Sequence, residues 1–129
     1  MQLSGNAMCF ACGEKNPIGL KLKFTAEGED FLSELKLEEH HQGYAGIAHG
    51  GIITTALDEI MARLLLARGY NAITARLEVR FKKPVRVGEK IQLRARFVAA
   101  RGKLLETEAQ ARDEKSNVIA EAKATSMCV

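Results

Sequence analysis

The stretch HGGIITTALDEIMARLLLARG, residues 49–69, decides how the rest of this chain is read. Ile53, Ala56, Leu57, Ile60, Met61, Leu64, Leu65 and Ala67 recur at helical spacing, which predicts a helix from about Ile52 to a stop at Gly69. Around it the period is two. Leu20, Leu22 and Phe24 alternate with Lys21, Lys23 and Thr25, and after a turn at Gly28 the run Phe31–Leu37 alternates again, which predicts an antiparallel pair. Further alternating runs cover Ala72–Lys82, Lys90–Ala100, Lys103–Arg112 and Val118–Met127, divided by turn signals at Pro84–Gly88, Gly102 and Lys115–Asn117. One apolar helix facing six strands can be covered on most sides only if the sheet curls around it. The expectation is therefore an α+β domain over residues 1–129, a curled antiparallel sheet wrapped around one long central helix, with residues 1–19 as an irregular N-terminal segment. Such a sheet has free edges, and pairing them with another copy predicts at least a dimer.

Composition narrows the function. At 129 residues, 47% hydrophobic and 27% charged, the chain has the make-up of one globular domain. The formal charge is only +3, and basic residues alternate with acidic ones, which argues against dedicated nucleic-acid binding while leaving room for a local phosphate-binding patch. No apolar run approaches the ~20 residues that span a bilayer, and the N-terminus lacks a signal-peptide pattern, so a cytoplasmic protein without membrane contact is expected. Cys9 and Cys12 form a C-x-x-C unit and Cys128 lies near the other end. The three are read as reduced thiols, with no metal or cofactor expected; half a zinc site, completed by His40, His41 or a second subunit, is the alternative.

The helix start carries the chemistry. Its first N–H groups need acceptors, and the usual Ser, Thr, Asp or Asn cap is replaced here by His49, Gly50 and Gly51. Glycine lets a ligand oxygen approach the backbone, and the helix dipole adds partial positive charge, so this turn reads as an oxyanion site. Two turns on stands Asp58, with Thr54, Thr55, Met61 and Ala62 as helical neighbours and no cation spaced to pair with it. Glu59, by contrast, precedes Arg63 by four residues and reads as half of a surface ion pair. Polarising N–H groups with a carboxylate nearby can activate a carbonyl toward water. No G-x-S-x-G nucleophile motif occurs.

HGGIITTALDE (49–59), TARLEVRFKKPVRVGE (74–89) and CFACGEKNPIGLKLKF (9–24) resemble the PaaI-type branch of the hot-dog acyl-CoA thioesterases over nearly the whole chain. The resemblance implies a hot-dog fold and acyl-CoA as substrate, with active sites at the interface of a homodimer or homotetramer. It makes Asp58 the general base or nucleophile, Gly50 the donor that polarises the thioester carbonyl with Gly51 beside it, and His49 a flanking residue. Thr74 matches a position that helps to place water from the neighbouring subunit. Related enzymes often carry Asn six residues before the His; this chain has Gly43 there, and the adjacent Gln42 offers the same amide. Arg76, Arg80, Lys82, Lys83 and Arg86 are the candidate cations for the CoA phosphates. A hot-dog dehydratase or hydratase, and a non-hydrolytic acyl-CoA sensor, are the competing readings.

Overall fold

The computed structural model describes all 129 residues. One helix, α1 (Gly50–Ala67), packs against a sheet of six strands, β1 (Thr25–Glu27), β2 (Asp30–Lys36), β3 (Ala72–Phe81), β4 (Lys90–Arg101), β5 (Leu104–Arg112) and β6 (Val118–Cys128). Every pairing is antiparallel and the spatial order is β1-β2-β4-β5-β6-β3. The chain therefore lays down one edge, crosses under the helix to the far edge at β3, and fills the middle with a meander. Seven of the helix positions expected inside, Ile53 to Leu65, are buried, whereas Ala67 is exposed where the helix runs out beyond the sheet. Six of them, Ile53 to Leu64, meet Leu35, Ile91, Leu93, Ala95, Ala109, Ala111, Ala120, Ala122 and Ala124 in a single core. Small alanines on the central strands let the sheet approach the helix and curl about it.

The first expected strand is mostly absent. Leu20 and Leu22 are buried as their alternation requires, but only Thr25–Glu27 pairs with β2. The N–H groups of Leu20 and Leu22 are instead donated to the carbonyls of Phe10 and Ala11, at 2.9 and 3.0 Å. This segment packs against the N-terminal residues rather than extending the sheet, and alternation reports burial without saying which backbone supplies the hydrogen bonds.

Thr107 on β5 is buried with its hydroxyl unpartnered. Replacing that hydroxyl by a methyl removes a desolvated polar group at nearly constant shape. Thr107→Val is expected to raise Tm by about 3–5 °C, in line with roughly 1 kcal/mol for a domain of this size, as read by thermal unfolding. A fall in Tm would mean that the hydroxyl has a partner.

Candidate active site

The loop before α1 is folded by its own polar groups. A 3₁₀ turn at Glu39–His41 leads into it, and Gln42 spans it: Gly46 N–H donates to Gln42 Oε1 at 2.6 Å, while Gln42 Nε2 donates to the Glu39 carbonyl at 2.8 Å. Both ends of that amide brace the loop, and Gln42 also lines the cleft at the helix start. His49 N–H donates to the His41 carbonyl at 2.7 Å and fixes the approach to the helix.

His49 is itself the N-cap, its Nδ1 accepting from Gly51 N–H at 2.8 Å. The helix start is therefore half capped. Gly51 N–H, expected to share the oxyanion role, is occupied, while Gly50 N–H has no acceptor in the chain. Gly50 and His49 line a cleft of about 490 Å³ with Gln42, Gly43, Tyr44, Ile47 and Ala48. Thr54 and Thr55 return their hydroxyls to the carbonyls of Gly50 and Gly51, both at 2.8 Å, and tighten the first turn.

His41, beneath this loop, is buried with Nδ1 accepting from Glu38 N–H at 2.9 Å and Nε2 without a partner. Burial first, and then neighbouring His40, push its pKa below the ordinary 6.5. The unfolded chain therefore binds the proton more readily, so this stabilising contribution is complete above pH 6.5 and is lost as the pH falls below it. Between pH 7.5 and 5, Tm is expected to fall more steeply for the native chain than for His41→Asn; parallel profiles would remove His41 as the cause.

Asp58 lies two turns along α1, half-buried, and Thr74 Oγ1 donates to its Oδ1 at 2.8 Å. Its other oxygen has no partner in the chain. Thr74 reaches the helix because β3 carries a bulge: Thr74 pairs with Ser126 and Arg76 with Thr125, leaving Ala75 as an extra residue. In an unbroken strand Thr74 would share a face with Arg76 and Glu78. The bulge turns Thr74 inward and still lets Leu77 and Val79 face the core. Within the chain Thr74 is thus the hydroxyl that holds Asp58. Gly50 and Asp58 do not meet: eight residues of α-helix separate their backbones by about 12 Å, too far for both to touch one carbonyl.

Glu59 makes no ion pair with Arg63, contrary to the i,i+4 spacing. It accepts from the Cys9 thiol at 3.0 Å, and the Arg63 guanidinium lies over the Phe24 ring, 5.7 Å from its centre. Burial, with the contacts to Glu59 and Cys9 behind it, pushes the Cys12 thiol up to about 12, so it is no nucleophile at neutral pH.

The basic residues divide. Lys83 is bound at 2.9 Å to the buried carboxylate of Asp113, which Lys83 and the Asn117 backbone hold well below the usual carboxylate range. Lys83 thereby braces the β5–β6 turn, with its side chain half exposed. Lys82 sits 3.5 Å from Glu121, and Arg80 lines a groove on the outer sheet face among Glu78, Glu108 and Glu121. Arg86 has no ion pair and its backbone bridges Ile47, beside the loop that leads to the helix.

Residues 45–120, which hold the end of the loop, the helix, three whole strands and the start of β6, match the family model described as Thioesterase superfamily. Acyl-coenzyme A thioesterase 13 of Mus musculus is 31% identical over 83 residues, 63% of this chain and 59% of that protein, so the match spans less than two thirds of the relative's length. Among solved structures, the E. coli PaaI protein of the phenylacetic acid degradation operon superposes with a TM-score of 0.79 at 13% identity, covering 85% of this chain and 80% of that one. A Streptococcus mutans protein solved bound to acetyl CoA gives 0.78 at 19% identity, covering 84% and 88%. At those identities the likeness is one of fold, and the fold is the hot-dog arrangement described above. No helix is long and apolar enough to cross a membrane. With the family model covering more than half of its length, from the loop before α1 onward, this chain belongs to the thioesterase superfamily.

Proposed function

We propose that the chain hydrolyses an acyl-CoA thioester to free CoA and a carboxylic acid, at a site that two copies build together. The observation that carries this reading is an open Gly50 N–H at a helix start on a cleft, combined with a carboxylate that a hydroxyl holds by one oxygen only. Gly50 N–H would polarise the thioester carbonyl, an effect worth about 2.7–4 kcal/mol for one oxyanion donor. Asp58 acts as general base on water or as nucleophile, with Thr74 fixing the carboxylate. Water supplies the oxygen to the acyl carbon, and CoA departs as a thiol.

The separation of about 12 Å along the helix is the reason for two copies. Gly50 of one copy must serve the carbonyl whose water is activated by Asp58 of the other. Strand β3 supports such an assembly: it is a ten-residue edge without a partner on one side, it exposes Ile73 and Phe81, and it carries Thr74. An edge of that length is commonly covered by a second copy, giving a homodimer or a dimer of dimers. Arg86, without an ion pair beside the loop, is the cation proposed for a CoA phosphate. The S. mutans structure with acetyl CoA supports CoA recognition on this fold.

A panel of aryl, short-chain and long-chain acyl-CoAs, read with a thiol-reactive dye, tests the proposal. Release of free thiol with at least one class is expected. A change in enoyl absorbance without thiol release would make the chain a hydratase, and binding with neither would make it a sensor.

A further inference from the structure

The N-terminal segment is a substantial structured piece that the thioester site does not use, and it is built around Cys9 and Cys12. Gly13 N–H donates to the Cys9 carbonyl at 2.8 Å, and a side chain at Gly13 would collide with the Ala7 carbonyl, so this turn is closed tightly. It presents both sulfurs to Glu59 on α1. The two Sγ atoms and a Glu59 carboxylate oxygen lie within 4.8 Å of one another. Cys12 N–H points to Cys9 Sγ at 3.4 Å, the kind of outer contact that orients a thiolate ligand.

We propose that Cys9, Cys12 and Glu59 form a binding site for a thiophilic divalent cation of the zinc type. Zn–S bonds of about 2.3 Å place tetrahedral ligand atoms about 3.8 Å apart, so adjustments of roughly 1 Å or less, outward for the pair now at 3.0 Å, seat the three groups around an ion. The C-x-x-C spacing is that of zinc sites, and a carboxylate completes a borderline-soft S₂O set. Arg63, the one cation at helical spacing from Glu59, does not compete for it. The third ligand comes from the helix, in place of the His40 or His41 considered from sequence, and His41 is engaged elsewhere. Both thiols lose their protons to solvent on binding, and the ion takes two thiolates and one carboxylate.

All three groups line a cleft of about 370 Å³ that also touches Arg63, Leu66, Tyr70 and Ala72. The fourth position of the ion faces that cleft and takes water. Its consequence is mechanical: the ion ties the N-terminal segment to the residue next to Asp58, on a different side of the helix.

The test uses the full chain, purified under reducing conditions from zinc-supplemented medium. Zinc is expected at roughly one per chain, and after chelation added zinc should raise Tm by several degrees. Cobalt(II) in its place should give a thiolate-to-metal charge-transfer band in the near ultraviolet. Cys9→Ser/Cys12→Ser should lose the band and the thermal shift, and Glu59→Gln should bind at least tenfold more weakly. Circular dichroism confirms that each variant is folded, and the band of the native chain stands without them. No stoichiometric zinc and no band in the native chain would overturn the site. So would a full band in the double variant, or an intact mass short by two hydrogens, which would mark a Cys9–Cys12 disulfide.

Discussion

Asp58→Asn is expected to lower kcat by about 100-fold or more while leaving folding and assembly unchanged. The asparagine carbonyl can still accept from Thr74 Oγ1, which now donates to Asp58 Oδ1 at 2.8 Å, so the hold of strand on helix survives the change. What is lost is the charge and basicity of the second oxygen, which has no partner in the chain and is free to face water or the acyl carbon. A general base or nucleophile removed in this way should depress kcat and kcat/KM together, with KM little altered. Normal turnover by the folded variant would remove Asp58 from the mechanism.

Gly50→Val should reduce kcat/KM by about 100-fold, the loss expected when one oxyanion donor is obstructed, with a much smaller effect on stability. A β-carbon at Gly50 would lie 3.2 Å from Cζ of Phe81, and the isopropyl group would stand beside the N–H that faces the cleft. Phe81 is half exposed, so its ring can give way. Valine is also no worse a helix former than glycine, and the turn itself has little reason to resist it. If Tm falls sharply while the folded fraction keeps its rate, the glycine shapes a turn and does not hold an oxyanion.

Much of this was legible before any coordinates because burial writes a period into the chain. The helix core from Ile53 to Leu65 and the alternation of the last three strands follow directly from which faces must be dry. Polar partners are another matter. The bulge at Ala75 leaves no glycine or proline as a mark; its one trace is that Thr74 and Leu77 have opposite parity, and both turn out to face inward. Glu59 reads as Arg63's partner by spacing, yet a thiol 50 residues away takes it, since i,i+4 proximity cannot say what packs over the helix from outside. Likewise nothing local tells that His49 spends its ring nitrogen on Gly51 N–H, or that Lys83 is bound to Asp113, 30 residues away in the β5–β6 turn. The site residues could be nominated from sequence; which of them stand together could not.

The separation of Gly50 from Asp58 makes the two-copy site the central claim, and mixing two inactive chains tests it most directly. Chains carrying Gly50→Val and Asp58→Asn, each with its own affinity tag, are co-expressed, and the mixed assembly is isolated by two successive captures. If Gly50 of one copy works with Asp58 of the other, the mixed dimer has one site with both residues intact and one with neither, and should release CoA thiol at about half the rate of the unmodified dimer. Should each site lie within a single chain, no intact site exists in the mixed dimer, and a rate no higher than that of the two parents would contradict the account.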